Sequence, residues 1–343
     1  MSLQSLLGID LPILQAPVAG VQGSALAVAV SNAGGLGALP CAMLDAPALL
    51  AELDAINAQT RKPYNLNFFC HQEPVADSAA DARWREALQP YYRELGIRPS
   101  TAPSTSSRVP FNNEVADLLQ AYRPPVVSFH FGLPSPALLD RVRSWGSRIL
   151  CSATTVDEAR WLESEGVDAV IVQGLEAGGH RGHFLADNLD NQLTTSALLA
   201  QVVRAVRLPV IAAGGIADRA GVMAALESGA TAVQVGTAYL LCDEASTSAV
   251  HRAALQGGSA HDTILTNVFT GRTARGIVNR LMRELGPISP LAPAFPLAST
   301  AIAPLRSHAE EQGSGDFSPL WAGQNVSGCR AISAAAMTRQ LAP

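Results

Sequence analysis

Eight short apolar runs recur along the chain with helical patterns between them, and no other feature constrains the fold as strongly. The runs cover 13–18, 36–39, 64–69, 126–131, 148–153, 169–173, 210–213 and 232–235, each bounded by glycine, proline or polar residues. A short continuous apolar run is how a strand buried on both faces reads. Between the runs, 24–32, 46–58, 135–145, 155–165, 194–206 and 219–228 carry helical spacing, several opened by Ser, Thr or Asp caps. Strand–helix alternation repeated to eight predicts a closed (β/α)8 TIM barrel rather than an open doubly wound sheet.

Two segments break the rhythm. Residues 71–123 exceed an ordinary strand-to-helix connection and read as an insertion after the third strand. They hold a charged helix at 77–95, a Pro/Ser/Thr-rich stretch at 99–110 and a second helix at 113–122. Past 240 the chain reads as helical to about 284, then as a proline-rich stretch and a closing helix. The expected organisation is a barrel over 1–70 and 124–285, with a lid and closing helix over 286–343 folded across one mouth.

Composition narrows the partners. Apolar residues are 48% of the 343 and charged ones 15%, which excludes intrinsic disorder. With 24 basic and 29 acidic side chains the net charge is −5 and no basic cluster occurs, so neither nucleic acid nor an anionic membrane surface is an expected partner. The first cationic side chain is Arg61 and no apolar run spans a bilayer, so a cytoplasmic protein is expected, a monomer or small homo-oligomer that binds small molecules. Five scattered cysteines without a Cys-x-x-Cys pair read as packed thiols, and no histidine has a partner at metal spacing, so no metal site is expected.

In a (β/α)8 barrel the site lies at the carboxyl ends of the strands. After the seventh and eighth runs come Gly214-Gly215 and Gly236-Thr237, following Gln234-Val235. Backbone N–H groups freed by such glycine turns cradle a phosphate dianion, although Gly214 and Gly215 could equally do no more than permit a tight turn. After the sixth run stands the richest constellation, Gln173-Gly174-Leu175-Glu176-Ala177-Gly178-Gly179-His180-Arg181-Gly182-His183. Its glycines let backbone press against a flat ligand, and His180 can act as acid, base or electrostatic partner near neutral pH. Arg181 and His183 read either as functional or as solvated loop residues. His130 and Asn67 end the fourth and third runs, where alternate side chains face the barrel mouth; His130 could equally be a hydrogen-bonded core histidine.

These motifs, with Ile13-Leu14-Gln15-Ala16-Pro17-Val18, Ser31 to Gly37, Ser128 to Gly132 and Leu320-Trp321-Ala322-Gly323-Gln324, resemble the class I nitronate monooxygenases over almost the whole chain. The resemblance implies noncovalently bound FMN and oxidation of alkyl nitronates by O2 to an aldehyde or oxo acid plus nitrite, with propionate 3-nitronate as substrate and detoxification as the role. It implies that His180 is the active-site histidine and His130 a second one. It places Ala16, Pro17, Val18, Asn67, Gln173, Gly178, Gly179, Gly214, Gly215, Gln234, Val235, Gly236 and Thr237 around the flavin, with Gln324 reaching in from the tail. Val18 departs from the methionine of many relatives. Phe295 and Arg306 stand in a lid region where relatives carry tyrosines and a lysine, and the chain's only lysine is Lys62.

Two other functions fit the same barrel. An FMN-dependent NAD(P)H reductase of the enoyl-carrier-protein or quinone type would use the same glycine turns, although no G-x-G-x-x-G in a strand–helix setting is present. A phosphate-binding sensor would need no flavin.

Overall fold

The computed structural model describes residues 3–75, 77–99 and 108–343; most of the proline/serine stretch expected at 99–110 lies outside them. Among the described residues the strands are β1 (Ile13–Gln15), β2 (Gly37–Pro40), β3 (Tyr64–Phe69), β4 (Val126–His130), β5 (Arg148–Ala153), β6 (Ala169–Gln173), β7 (Gly179–His180), β8 (Val210–Ala213), β9 (Ala232–Val235), β10 (Thr263–Thr266) and β11 (Ala274–Ile277). The helices are α1 (Leu3–Leu7), α2 (Ser24–Asn32), α3 (Ala46–Gln59), α4 (Ser78–Glu94), α5 (Asn113–Leu119), α6 (Pro136–Ser144), α7 (Val156–Ser164), α8 (Thr195–Ala205), α9 (Arg219–Glu227), α10 (Ala249–Gln256), α11 (Arg280–Leu285), α12 (Ala298–Glu311) and α13 (Ala334–Leu341).

Eight parallel strands form one sheet in the order β1-β9-β8-β6-β5-β4-β3-β2, and a bridge between Leu14 and Leu36 brings its two edges together. The result is a nearly closed TIM-like barrel whose seventh and eighth staves are β8 and β9. Alternation along each stave separates two cores. Ile13, Val127, Ile149, Val170, Val210 and Val233 point outward into the layer shared with the helices. Their sequence neighbours Leu14, Val126, Leu150, Ile171, Ile211 and Ala232 fill the barrel, whose lower end is stoppered by Leu3 and Leu7 of α1.

Continuing two residues further up the same inward rows, the side chains turn polar: Val126 leads to Ser128 and His130, Leu150 to Ser152, Ile171 to Gln173 and Ala232 to Gln234. An apolar floor and a polar mouth are therefore written into the period-two pattern of single strands.

The ring of helices is completed from unexpected places. α5, at the end of the segment read as an insertion, packs between α3 and α6, and α13 packs against α2 and α9 as the eighth helix. Ala334, Met337 and Leu341 bury its inner face in the main core. The rest of the insertion and of the tail form one cap. Trp84, Leu88, Tyr91 and Tyr92 of α4 pack on Leu281, Ile302 and Leu305 of α11 and α12. Trp84 Nε1 donates to Ala298 O at 3.0 Å, Tyr92 Oη donates to Ala301 O at 2.6 Å, and Arg280 forks onto Glu94 at 2.6 and 2.7 Å.

The continuous helical reading past 240 is corrected. β10 and β11 form an antiparallel hairpin that adds β7 as a third strand, with Ala274 opposite His180 and Arg275 opposite Gly179. Three of the four residues of Thr-Ile-Leu-Thr are β-branched, and Ala-Arg-Gly-Ile ends on another, which suits a strand more than a helix. The hairpin thereby fastens the His180 loop to the cap.

Candidate active site

A cavity opens at the carboxyl ends of the staves under the cap, and the sequence-expected residues can be followed into it by element. From β1 come Ala16, Pro17 and Val18; from β3, Asn67 and Phe69; from β4 and β5, Ser128, His130 and Ser152. Gln173, Gly178, Gly179 and His180 line it after β6, Gly214 and Gly215 after β8, and Gln234, Gly236 and Thr237 around β9. Val235 does not line it: one residue out of phase with Gln234, it is 1% exposed and points into the outer core. Gln324 is exposed and lies in a groove beside α8 and α9, while the tail residues in the cavity wall are Trp321, Gly323 and Asn325.

At the β8 and β9 ends the backbone is shaped to receive an anion. Gly214 and Gly215 have φ of +121° and +71°, conformations that favour glycine. Among the described residues, the amides of Gly215, Ile216, Gly236 and Thr237 donate no hydrogen bond. Buried or semi-buried amides without acceptors are rare, and four of them converging on one mouth match the oxygens of a phosphate. The phosphate of FMN fits these donors.

The loop after β6 is braced from below. Arg181 is fully buried and is a structural residue: its guanidinium donates to Gln173 O at 2.8 Å, Gly174 O at 2.5 Å and Gln192 Oε1 at 2.8 Å. Gln173 ties the loop back, its Nε2 donating to His180 O at 2.9 Å and its Oε1 accepting from Gly182 N at 2.8 Å. Gly178 lets the tail approach, since a Cβ there would stand 2.5 Å from Gly323 N and 2.6 Å from Ala322 C. His183 is buried beside the loop and does not line the cavity, and its carbonyl accepts from Arg272.

The two expected histidines do meet. His130 Nε2 lies 3.2 Å from His180 O and its Nδ1 lies 2.6 Å from Ser152 Oγ. A carbonyl only accepts, so Nε2 carries the proton and Nδ1 accepts from Ser152. His180 Nε2 contacts Thr270 Oγ1 at 2.9 Å, which leaves Nδ1 without a partner among the described residues. Burial holds both imidazoles neutral: His130 falls to about 3, with Arg272 adding to the effect, and His180 falls well below its ordinary value, with Arg108 and His130 adding. His71 behaves alike, lowered to about 4 by burial and by Arg272. The neutral histidines are hydrogen-bonding groups, and the positive field comes from the guanidiniums.

Sequence reasoning passed over three contributors. Arg108 lines the cavity and places its guanidinium carbon 5.7 Å from the centre of the Phe295 ring. Arg272 stacks 4.2 Å over Phe131, whose φ of +70° turns it into a cluster with Phe69 and Phe295. Thr270 carries His180. Arg272 and Thr270 lie in the connection between β10 and β11, which had been read as helix, and Arg108 lies on a stretch without periodicity, so no pattern pointed at them. The five thiols are free, their pKa values are raised, chiefly by burial, and none lines the cavity. Among the described residues no cluster of metal-ligating side chains occurs and no helix is long and apolar enough to cross a membrane.

A TIM barrel that gathers glycine turns, paired histidines and a guanidinium at the carboxyl ends of its strands is an enzyme of the small-ligand barrel class. The sequence profile of nitronate monooxygenases matches residues 1–343. Nitronate monooxygenases of Paraburkholderia phytofirmans and Pseudomonas aeruginosa are each 42% identical, over 99% and 98% of this chain and 93% and 96% of their own lengths. A solved nitroalkane oxidase from Streptomyces ansochromogenes superposes with a TM-score of 0.90 at 37% identity, covering 99% of this chain and 96% of that one. The chain belongs to the nitronate monooxygenase family.

Proposed function

We propose that the protein binds FMN at the barrel mouth and oxidises alkyl nitronates, propionate 3-nitronate among them, with O2 to a carbonyl compound and nitrite, as a detoxifying enzyme. The observation that carries this reading is the division of the cavity: unpaired amides of Gly215, Ile216, Gly236 and Thr237 on one side, neutral His180 and His130 with the Arg108 guanidinium on the other.

Bound FMN would accept electrons from a substrate that is already a carbanion equivalent, so no base is needed to start the reaction. Gly215, Ile216, Gly236 and Thr237 would hold the phosphate, while Ala16, Pro17, Val18, Asn67, Gln173, Gly178, Gly179, Gly214 and Gln234 would surround the rest. His180 serves the anion through its proton position. Thr270 Oγ1 lies 3.3 Å from Arg272 O and can give up that long bond to donate to His180 Nε2. His180 then presents Nδ1–H to a nitronate oxygen. Phe69 lines the cavity with Phe131 and Phe295 packed behind it, and this apolar side would strengthen each of these contacts.

The cofactor tests this reading. Mass analysis of the group released from the purified protein is expected to give FMN in near-stoichiometric amount, whereas FAD, or a colourless protein that FMN cannot reconstitute, would remove the phosphate-site argument.

A further inference from the structure

Of the chain's four tryptophans, Trp321 lines the cavity. Its indole Nε1 donates to no acceptor among the described residues, whereas Trp84 Nε1, buried in the cap, donates to Ala298 O at 3.0 Å. An indole N–H has donor capacity only and takes a partner when it is withdrawn from water. On a half-buried wall, an N–H without a protein acceptor is placed for a ligand.

The ring is held in one orientation. Trp321 bridges Gly276 of β11, where a Cβ would stand 3.0 Å from its Cε3, and Phe269 meets the indole edge-on at 5.6 Å. The opposite long edge of the indole, which carries Nε1, is left uncovered by β11. The tail also fixes which end of the cavity this donor serves. Asn325 Nδ2 donates to Gly215 O at 3.1 Å and Gly323 N to Thr237 Oγ1 at 2.9 Å, so these residues sit at the phosphate end. Trp321 lies at the other end of the strap, its ring 5.5 Å from that of His180. Two N–H donors on neighbouring rings suit the two oxygens of one nitro group.

We propose that the Trp321 indole N–H donates a hydrogen bond to one oxygen of the substrate's nitro group while His180 serves the other. The assignment rests on the nitronate-oxidising reading above and adds a second substrate-binding residue. A nitronate carries its charge on these oxygens before any electron leaves, so the donor holds the bound substrate and its loss appears in KM more than in kcat. Nitrite, the product, presents the same pair of oxygens and meets the same donor.

The test compares FMN-loaded wild type with Trp321→Phe, which keeps an aromatic ring on Phe269 and removes the N–H; FMN stoichiometry and affinity are the controls. The KM for propyl 1-nitronate and the Kd of nitrite, read from flavin absorbance, are each expected to rise about 10- to 100-fold with kcat nearly unchanged. In wild type labelled at the indole nitrogens, the Trp321 N–H resonance, assigned by elimination among the four tryptophans, is expected to move downfield on adding nitrite or 1-nitropropane. Unchanged KM and Kd overturn the assignment. So does a weakened FMN affinity with both constants intact, which would give the N–H to the flavin. If Trp321→Phe takes up no FMN, the wild-type resonance decides, and one that stays in place overturns the proposal. If wild type turns over no nitronate, the functional reading fails by itself, and an indole resonance that answers neither nitrite nor 1-nitropropane then overturns the role of Trp321 as well.

Discussion

His180 gathers more of the site than any other side chain: its ring meets Thr270, its carbonyl takes hydrogen bonds from Gln173 and His130, and its ring lies 5.5 Å from that of Trp321. The carbonyl contacts survive substitution, so His180→Asn is expected to keep the loop and the cofactor. It loses the switchable Nδ1, and kcat/KM with a nitronate should fall about 100-fold or more. His183→Asn should cost far less, because its side chain does not line the cavity. Steady-state kinetics on both variants would show a misassigned histidine if the order were reversed. His180, His130, Asn67 and the glycine turns were legible because each ends a strand run. Arg108 was not, because a cation on an aperiodic stretch looks like any solvated arginine until the fold brings Phe295 beneath it.

At the scale of elements, the loop after β6 and the tail interlock at Gly178. The three nearest atoms a Cβ would meet, Gly323 N at 2.5 Å, Ala322 C at 2.6 Å and Ala322 Cα at 3.0 Å, are all backbone and cannot turn aside. Gly178→Ala is therefore expected to cost about 1–3 kcal/mol, seen as a lower urea midpoint. The displaced tail carries Trp321 and Asn325, so cofactor occupancy should drop as well. Wild-type stability and full occupancy would mean that the tail seats independently of the loop. The eight staves were readable because a strand buried on both faces writes a local apolar run. The hairpin of β10 and β11 was not, since its strands are four residues each and show no regular alternation of buried and exposed positions. Nor could α13 be seen as the eighth barrel helix: what places it is packing on α2 and α9, and the cap separates it from β9 in sequence.

The whole molecule keeps several imidazoles uncharged. His71, His183 and His251 are each lowered to about 4 and His130 to about 3, and His180 is lowered well below its ordinary value, in every case first by burial. In the unfolded chain each titrates near 6.5. Between about pH 6.5 and 4 the unfolded state thus binds more protons than the folded one, and unfolding free energy falls as pH falls. Denaturant titrations of the cofactor-free protein should show a loss of several kcal/mol between pH 7 and pH 5, with little further contribution from these groups above pH 7. Equal stability at pH 7 and pH 5 would mean that the imidazoles protonate in the folded state, and the neutral pair at the mouth would lose its basis.

The claim on which the functional account turns is that this mouth passes electrons from a nitronate, not from a nicotinamide. Parallel assays in air should follow nitrite release and O2 consumption with propionate 3-nitronate, and flavin reduction by NADH and NADPH without it. Nitrite formation and O2 uptake with the nitronate, with only slow reduction by either nicotinamide, is the expected result. Rapid flavin reduction by NADH or NADPH, with no nitrite from any nitronate, would contradict the account and make the barrel a reductase.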